Sequence, residues 1–222
     1  MMDKEGLLIA AILAIGVGVM VPTLEGPKDR AVSVASADLP RAAPALRPQI
    51  SARSTPVQAE IAPFEVDLGF GFQGIATHRY TLAGQVLLRR PYTWDATAKI
   101  SPVDLAIGWG VMAAPEALDT FMFAGGKRIV HIRGTDAAHD PWPIMSLWSN
   151  THIIPASDAV RETALALQPG QRVRLHGYLM KVSGARGLIW EGSTSRDDRG
   201  FSACEIMLVE RIEIIGEAAA QT

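Results

Sequence analysis

Aromatic residues are distributed unevenly along this chain, and their distribution limits where a packed domain can form. The 222 residues include 6 Phe, 5 Trp and 3 Tyr, and all of them lie between Phe64 and Phe201. Aromatic side chains dominate the burial of apolar surface, so a segment without them rarely builds a core. The sequence therefore predicts one globular domain over residues 64–216, followed by a flexible tail at residues 217–222.

Residues 6–24 contain no charged side chain and are bounded by Glu5 and Glu25. As a helix rising about 1.5 Å per residue, this run would span roughly 28 Å, close to the ~30 Å hydrocarbon core of a bilayer. We therefore predict that residues 1–24 form an uncleaved, single-pass transmembrane anchor. A cleaved signal peptide is the alternative, because residues 35–37 (Ala-Ser-Ala) resemble a small-residue cleavage site.

Residues 25–63 contain six prolines, many alanines and scattered charges. Proline removes backbone hydrogen-bond donors and stiffens the chain locally, and no helical or alternating period would bury one face of this segment. The segment is predicted to be a disordered, Pro/Ala-rich linker that holds the domain away from the bilayer.

Within the domain, alternation of apolar and polar residues predicts five strands, with Gly177 as a bulge in the third. The predicted strands cover residues 79–90, 127–133, 171–182, 187–190 and 204–215. Ser157 is a favourable N-cap for a helix that runs to about Leu167. Ser101 and Pro102 predict a short helix that ends at Gly108.

This order of elements predicts a mainly β fold with one or two helices. A helix before the closing strands and a long strand with a glycine bulge fit a small, five-stranded barrel of the OB type. A generic α+β sandwich is the alternative.

Charge and cysteine content exclude several kinds of site. The formal net charge is -2, and residues 64–216 contain 15 Lys and Arg against 16 Asp and Glu. A nucleic-acid groove normally needs excess positive charge, so we predict no nucleic-acid partner. Cys204 is the one cysteine, so neither an intramolecular disulfide nor a zinc site with several thiolates is possible.

Three segments are more specific than a generic core requires. They are D-L-A-I-G-W-G at residues 104–110, S-N-T-H-I-I-P-A at residues 149–156, and S-T-S-R-D-D-R-G at residues 193–200, which runs on to A-C-E at residues 203–205. They resemble a family of uncharacterised bacterial membrane-associated proteins, without an assigned activity, that share D-L-A-x-G-W-G, S-N-x-H-x-I-P-A and R-x-D-x-G-x-x-A-C-E segments. The resemblance covers roughly residues 79–210.

The resemblance indicates which residues belong together, and these are the candidate binding residues. They are Asp104, Trp109, Ser149, Asn150, His152, Arg196, Asp198 and Glu205, with Cys204 beside them. In bacterial proteins, a short N-terminal anchor commonly directs export of the domain on its C-terminal side. We therefore predict a location in the inner (cytoplasmic) membrane, with the domain in the periplasm, although the positive charges that flank the anchor are nearly balanced.

Several chemistries are compatible with these residues. Cys204, His152 and Asn150 would provide the nucleophile, base and orienting group of a thiol hydrolase. Asp198 and Glu205 would serve as a carboxylate acid–base pair if they shared a cleft. The histidines lack the i, i+4 spacing of a zinc protease, and none of these sets is a complete motif.

The sequence therefore predicts no catalytic residues, no metal site and no cofactor. The leading hypothesis is a membrane-tethered binding or assembly module of the cell envelope, which binds the membrane through residues 6–24 and has a protein or envelope component as its partner. Trp94, Trp109, Trp142, Trp148 and Trp190 are available to stack on a ligand. The alternative is an envelope hydrolase that uses a His/Asp/Glu cluster, with or without the cysteine.

Overall fold

The computed structural model describes residues 49–195 and 204–215, except for the side chain of Arg186. These residues form nine strands and two α-helices. The strands are β1 (Val57–Gly69), β2 (Phe72–Pro91), β3 (Val103–Gly108), β4 (Phe121–Gly126), β5 (Ile129–Gly134), β6 (Trp148–Pro155), β7 (Arg172–Gly184), β8 (Leu188–Glu191) and β9 (Glu205–Ile214). The helices are α1 (Glu116–Thr120) and α2 (Asp158–Ala166). The prediction of a mainly β domain with one or two helices is confirmed.

Five strands pair in a closed ring, in the order β2-β3-β6-β9-β7 and back to β2. All neighbours in the ring are antiparallel except β6 and β9, which are parallel. Strand β1 extends the sheet beside β2, and β8 extends it beside β7. Strands β4 and β5 form a separate hairpin that is inserted between β3 and β6.

The interior of the ring is an apolar core built from alternate residues of its strands, because successive side chains on a strand point to opposite faces. We call this side the inner face; it includes Leu105, Ile153, Leu175 and Met207, all at most 2% exposed. Helix α2 packs Val160 and Ala164 into the same core. The opposite side of the ring strands is called the outer face.

Helix α2 begins and ends where the sequence predicts. The Ser157 hydroxyl accepts a hydrogen bond from the Val160 amide, which satisfies one of the unpaired donors of the first turn. Gly170, at φ +91°, then takes the left-handed conformation that favours glycine and leads the chain into β7. The predicted helix up to about Leu167 is thus confirmed.

The predicted helix at residues 101–108 is wrong, because Val103–Gly108 is strand β3. Ser101 and Pro102 provide a local signal that also suits the start of a strand. Every residue of β3 is buried between β2 and β6, with Leu105 and Ile107 on the inner face. A short, continuous apolar run of this kind is compatible with either state, and burial between two neighbouring strands selects the extended one.

The predicted linker at residues 25–63 ends too late, since β1 begins at Val57. Strand β1 lies at an edge of the sheet and exposes most of its first half, so it needs few apolar residues. Pro63 is tolerated because the pairing of β1 with β2 shifts register between Glu60 and Phe64. Residues 49 and 50 already contact the domain, as Arg174 donates two hydrogen bonds to the Ile50 carbonyl oxygen.

The other predicted strands correspond to β2, β5, β7, β8 and β9, with ends shifted by a few residues. Strands β4 and β6 were not predicted. Gly177 lies at a register shift between β7 and β9, as predicted, and a Cβ there would collide with the Leu208 carbonyl oxygen. Among the described residues, none of the helices is both long and apolar enough to cross a bilayer. The predicted anchor at residues 6–24 and the tail at residues 217–222 lie outside them.

Candidate functional site

The candidate site lies on the outer face of β3, β6 and the start of β9. Asp104 and His152 are directly opposite each other in the β3–β6 ladder. Cys204 immediately precedes Glu205, which pairs with Thr151 on the neighbouring strand. Asn150 is two residues from His152 on β6, so the pleat directs both side chains to the same face. Pairing of strands that are distant in sequence therefore brings three of the predicted segments together.

His152 has two polar neighbours, Asp104 and Cys204. Its Nδ1 atom lies 2.9 Å from Oδ1 of Asp104, and the ring also forms a hydrogen bond with Cys204. The ring of Trp190 lies over it, with 4.8 Å between the ring centroids. Burial disfavours the imidazolium, but the hydrogen bonds and charges of Asp104 and Cys204 outweigh burial and raise the pKa of His152 to about 9.

Arg128 connects the β4–β5 hairpin to this face. Its guanidinium donates at 2.7 Å to Oδ1 of Asp104 and forms a bidentate pair with Asp95 at 2.9 and 3.0 Å. It also donates to the Ser101 carbonyl oxygen at 2.8 Å and lies 3.9 Å from the centroid of the Tyr92 ring. Burial alone would raise the pKa of Asp95, but the hydrogen bonds from Arg128 hold that pKa below its ordinary value.

The turn that presents Arg128 is strained. Gly126 pairs with Ile129, so Lys127 and Arg128 form a two-residue hairpin loop, with φ values of +52° and +66°. Such turns favour Gly or Asn, and a larger residue in the left-handed region costs on the order of 1–3 kcal/mol. The five polar contacts of the Arg128 side chain offset this cost, and they explain why an arginine occupies a glycine-favouring position.

A cavity of about 280 Å³ lies beside the buried polar residues, between β5, the segment at residues 140–145 and β6. Its volume is near the lower end of the range for small-ligand sites. Most of its wall is apolar, and its polar or charged residues are His131, Asp140, Ser149, Asn150 and Cys204. The apolar wall residues are Ile129, Val130, Ile132, Pro141, Trp142, Met145 and Trp148.

Two buried polar atoms of this wall lack a hydrogen-bond partner among the described residues. Asn150 is 3% exposed and donates from Nδ2 to the Arg128 carbonyl oxygen at 3.1 Å, while its Oδ1 has no partner. Exchanging the amide atoms would place two oxygens against each other, so the observed orientation is favoured. Trp148 is 9% exposed, and its Nε1 donor is also without a partner. An unsatisfied buried polar atom costs about 1–3 kcal/mol.

The structure brings some of the predicted site residues together and separates others. Asp104, Asn150 and His152 share the outer face. Ser149 and Glu205 alternate with them and belong to the inner side, where the Ser149 hydroxyl lies 3.2 Å from that of Thr151. The Glu205 carboxylate accepts a 3.5 Å hydrogen bond from Tyr80, which belongs to the inner core. Glu205 therefore does not share a cleft with His152.

Trp109, a further candidate, is 5% exposed and packs in the inner core rather than toward a ligand. Trp94 and Trp142 are exposed, and Trp142 borders the cavity. The remaining candidates, Arg196 and Asp198, lie outside the described residues, so the predicted pairing of Asp198 with Glu205 stays a prediction.

Sequence reasoning missed Arg128, Asp95 and Tyr92. Two adjacent basic residues after Gly125 and Gly126 resemble an ordinary solvated turn, and only the fold brings this turn against Asp104. Trp190, which the sequence offered as a residue that could stack on a ligand, is half-buried and its ring lies over His152. The segment at residues 104–110 contained one signal for the missed arginine. Asp104 lies within an apolar run, and a buried aspartate requires a cationic partner.

Neither a protein-family model nor a curated protein matches this sequence. Within residues 49–195 and 204–215, no group of three His, Cys, Asp or Glu side chains is arranged to hold a metal ion. The observed arrangement suits two kinds of chemistry. The cavity and its two unsatisfied polar atoms suit ligand binding, and the hydrogen-bonded series Cys204, His152 and Asp104 has the order of a nucleophile, a base and an orienting group.

Proposed function

We propose that this chain is a membrane-tethered binding module of the cell envelope, and that its ligand occupies the cavity beside Asn150 and Cys204. The ligand is a small, uncharged molecule or group with an apolar body and one amide-like polar end. The observation that carries the proposal is an apolar cavity lined by Trp148 and Asn150, two buried residues that each have one polar atom without a hydrogen-bond partner in the described part of the chain. These atoms are the donor Nε1 of Trp148 and the acceptor Oδ1 of Asn150.

The domain is an OB-type barrel in this proposal. In support, five strands close in a ring, the third and fifth are parallel, and α2 lies between the third and fourth. Barrels of this type bind ligands on the face of their second and third strands and with the loops that join strands 1–2 and 4–5. The corresponding strands are β3 and β6, and the corresponding loops contain Asp95 and Trp190. The cavity and the polar residues around it lie at this face.

The charges near the cavity disfavour an anionic ligand. The guanidinium of Arg128 is already neutralised by Asp95 and Asp104, so it offers no unpaired cation to an anionic ligand. Asp140 at the cavity wall adds a carboxylate that would repel the carboxylate of an anionic ligand. A phosphate backbone would meet the same obstacle, and the domain is close to neutral, which supports the absence of a nucleic-acid partner.

The anchor, the location and the family are parts of the same proposal. The uncharged run at residues 6–24 supports insertion in the inner membrane. The segments at residues 104–110 and 149–156 support membership in the family of bacterial membrane-associated proteins that they resemble. A barrel on a long Pro-rich tether would reach molecules beyond the bilayer surface. We therefore assign the ligand to the periplasm, where it is either a component of the cell envelope or part of a partner protein.

The proposal is tested with the full chain in lipid nanodiscs and three probes that share one apolar body: hexanamide, hexanoate and hexylamine. Hexanamide should bind best, because its carbonyl accepts from Trp148 and its amide donates to Asn150. Hexanoate loses solvation without gaining an unpaired cation, and hexylamine has no acceptor for the Trp148 indole N–H. Binding is measured by chemical-shift changes of the tryptophan indole groups.

The matched variant is Trp148→Phe, which removes the indole N–H and retains an aromatic ring. It should weaken hexanamide binding by roughly five-fold, the effect of one hydrogen bond. Trp94→Phe is the control, because Trp94 is 77% exposed and does not contribute to the cavity wall. The proposal is wrong if no probe binds, or if all three bind the wild-type protein equally well.

A further inference from the structure

Cys204 is positioned differently from an inert, buried thiol. It is half-buried, lies in the wall of the cavity, and forms a hydrogen bond with the ring of His152. The amide Nδ2 of Asn150 lies 3.8 Å from its sulfur. A sulfur that borders an apolar cavity and contacts an imidazole satisfies the geometric requirement for an activated nucleophile.

His152 is oriented to take the proton of this thiol. The Nδ1 atom of the ring lies 2.9 Å from Oδ1 of Asp104, and the ring also forms a hydrogen bond with Cys204. Asp104 stabilises the imidazolium that forms when the thiol gives up its proton, which is the role of the acidic residue in hydrolytic triads. Arg128 and the ring of Trp190 fix Asp104 and His152 in turn, so the geometry does not depend on flexible side chains.

We propose that Cys204 is the nucleophile of an acyl-transfer reaction whose substrate is an ester or thioester with a short apolar acyl group. This inference rests on the proposed function, since the acyl group occupies the same cavity. His152 is the general base and acid, and Asp104 is a positioning residue. Asn150 Nδ2, which already points to the sulfur, donates to the oxyanion of the tetrahedral intermediate.

The atoms and electrons balance without an oxidant or a further co-reactant. His152 is protonated below its pKa of about 9, so the sulfur attacks the carbonyl carbon with its proton already held on His152. A C–S bond forms, and the carbonyl electron pair moves onto the oxygen. The C–O or C–S bond to the leaving group then breaks, and His152 protonates the departing alcohol or thiol. Water, deprotonated by His152, attacks the S-acyl intermediate and releases a carboxylic acid and the free thiol of Cys204.

An unsatisfied donor in a residue of the cavity wall indicates independently that a ligand with a carbonyl group belongs there. Trp148 Nε1 and Asn150 Oδ1 are buried and have no partner in the described part of the chain. Trp148 borders the cavity together with Cys204, so a carbonyl oxygen that accepts from its indole N–H also lies near the sulfur. An ester or thioester has no donor for Asn150 Oδ1, so only the Trp148 donor supports this substrate class.

The experiment uses the full chain in nanodiscs with p-nitrophenyl hexanoate and p-nitrophenyl acetate. We expect a burst of p-nitrophenol, an acyl adduct that peptide mapping locates on Cys204, and a rate at least ten-fold higher for the hexanoate. Cys204→Ala should lose the adduct and the burst. His152→Gln should slow acylation by roughly 100-fold or more, whereas the same change at His78 on β2 should leave it unchanged.

Asp104→Asn separates a positioning role from a structural one. Removing the carboxylate should shift the limb of the acylation pH profile that belongs to His152 to lower pH, because a charge that favours the imidazolium is lost. A merely structural Asp104 would change the amount of folded protein and leave that limb in place. If this variant does not fold, adduct mapping and the comparison of the two esters on the wild-type protein still test whether Cys204 is the nucleophile and whether the cavity selects the acyl group.

The outcomes distinguish this inference from the proposed function. If hexanamide binds but Cys204 is not acylated, or if Cys204→Ala retains the burst, the acyl-transfer inference is overturned and the binding function stands. If Cys204 is acylated by both esters at the same rate and hexanamide does not bind, the cavity does not select the acyl group. That result overturns both the proposed function and the substrate class.

Discussion

Two adjacent pairs of residues on β3 and β6, one on the inner face and one on the outer face, follow different chemistry. On the inner face, Leu105 and Ile153 pack in an apolar core. One residue away on each strand, Asp104 and His152 form a buried polar pair that Arg128 neutralises. Both pairs are at most 3% exposed, so burial alone does not distinguish the two faces.

The difference shows that the two faces obtain their stability in different ways. An apolar core depends on volume and shape, and it tolerates another apolar side chain of similar size. A buried polar cluster depends on complete pairing, because each charge that loses its partner remains in a medium that solvates it poorly. The inner face should therefore tolerate small changes, and the outer face should not.

The largest expected effect is at the residue that neutralises the outer face. Arg128→Ala leaves Asp104 buried with less compensation, so the free energy of unfolding should fall by about 3–5 kcal/mol. Arg211→Ala is the control, because Arg211 forms an ion pair with Glu213 but its side chain is 56% exposed; about 1 kcal/mol or less is expected. Urea denaturation of both variants measures the effect, and equal losses would remove the distinction between buried and exposed pairs.

A pH dependence should follow from His152, whose pKa is about 9 in the folded chain against an ordinary value of 6.5. Because the folded-state pKa is raised, the stabilisation is complete below pH 6.5 and is lost as the pH rises through 9. The loss should be about 3 kcal/mol. Urea denaturation between about pH 6 and pH 10 measures it.

Two variants sharpen the assignment of this pH dependence. His152→Gln should remove it, and Cys204→Ala should move the loss of stability to lower pH, because the thiol contributes to the raised pKa of His152. If the free energy of unfolding of His152→Gln changed with pH as steeply as that of the wild-type protein, another group would have to cause the pH dependence. The outer face would then not be distinguished by its charges.

The smallest effect is expected on the inner face, next to His152 in sequence. Ile153→Val removes one methylene from the apolar core and should cost about 1 kcal/mol. The dependence of stability on pH should remain that of the wild-type protein, because the substitution does not touch the outer face. A changed pH dependence in this variant would show that the two faces are coupled through β6.

Local patterns predicted the parts of the fold that depend on neighbouring residues. Alternation predicted β7 over residues 171–182, and the cap at Ser157 predicted α2. The helix predicted at residues 101–108 was wrong, because a short apolar run has no periodicity of its own and pairing with β2 and β6 determined its conformation. The start of β1 was missed for the opposite reason, since an edge strand with few buried residues resembles a linker.

By itself, the sequence determined that the chain has one β-rich domain and that Asp104, Asn150 and His152 are not ordinary core residues. Only the tertiary structure decided which of the candidate binding residues lie close to one another. A side chain's face changes with every residue along a strand, so Ser149 and Glu205 belong to the inner side although they adjoin Asn150 and Cys204 in sequence. The partner of Asp104 comes from a hairpin turn 24 residues away in the chain, because strand pairing and not sequence distance sets which charges share a buried space.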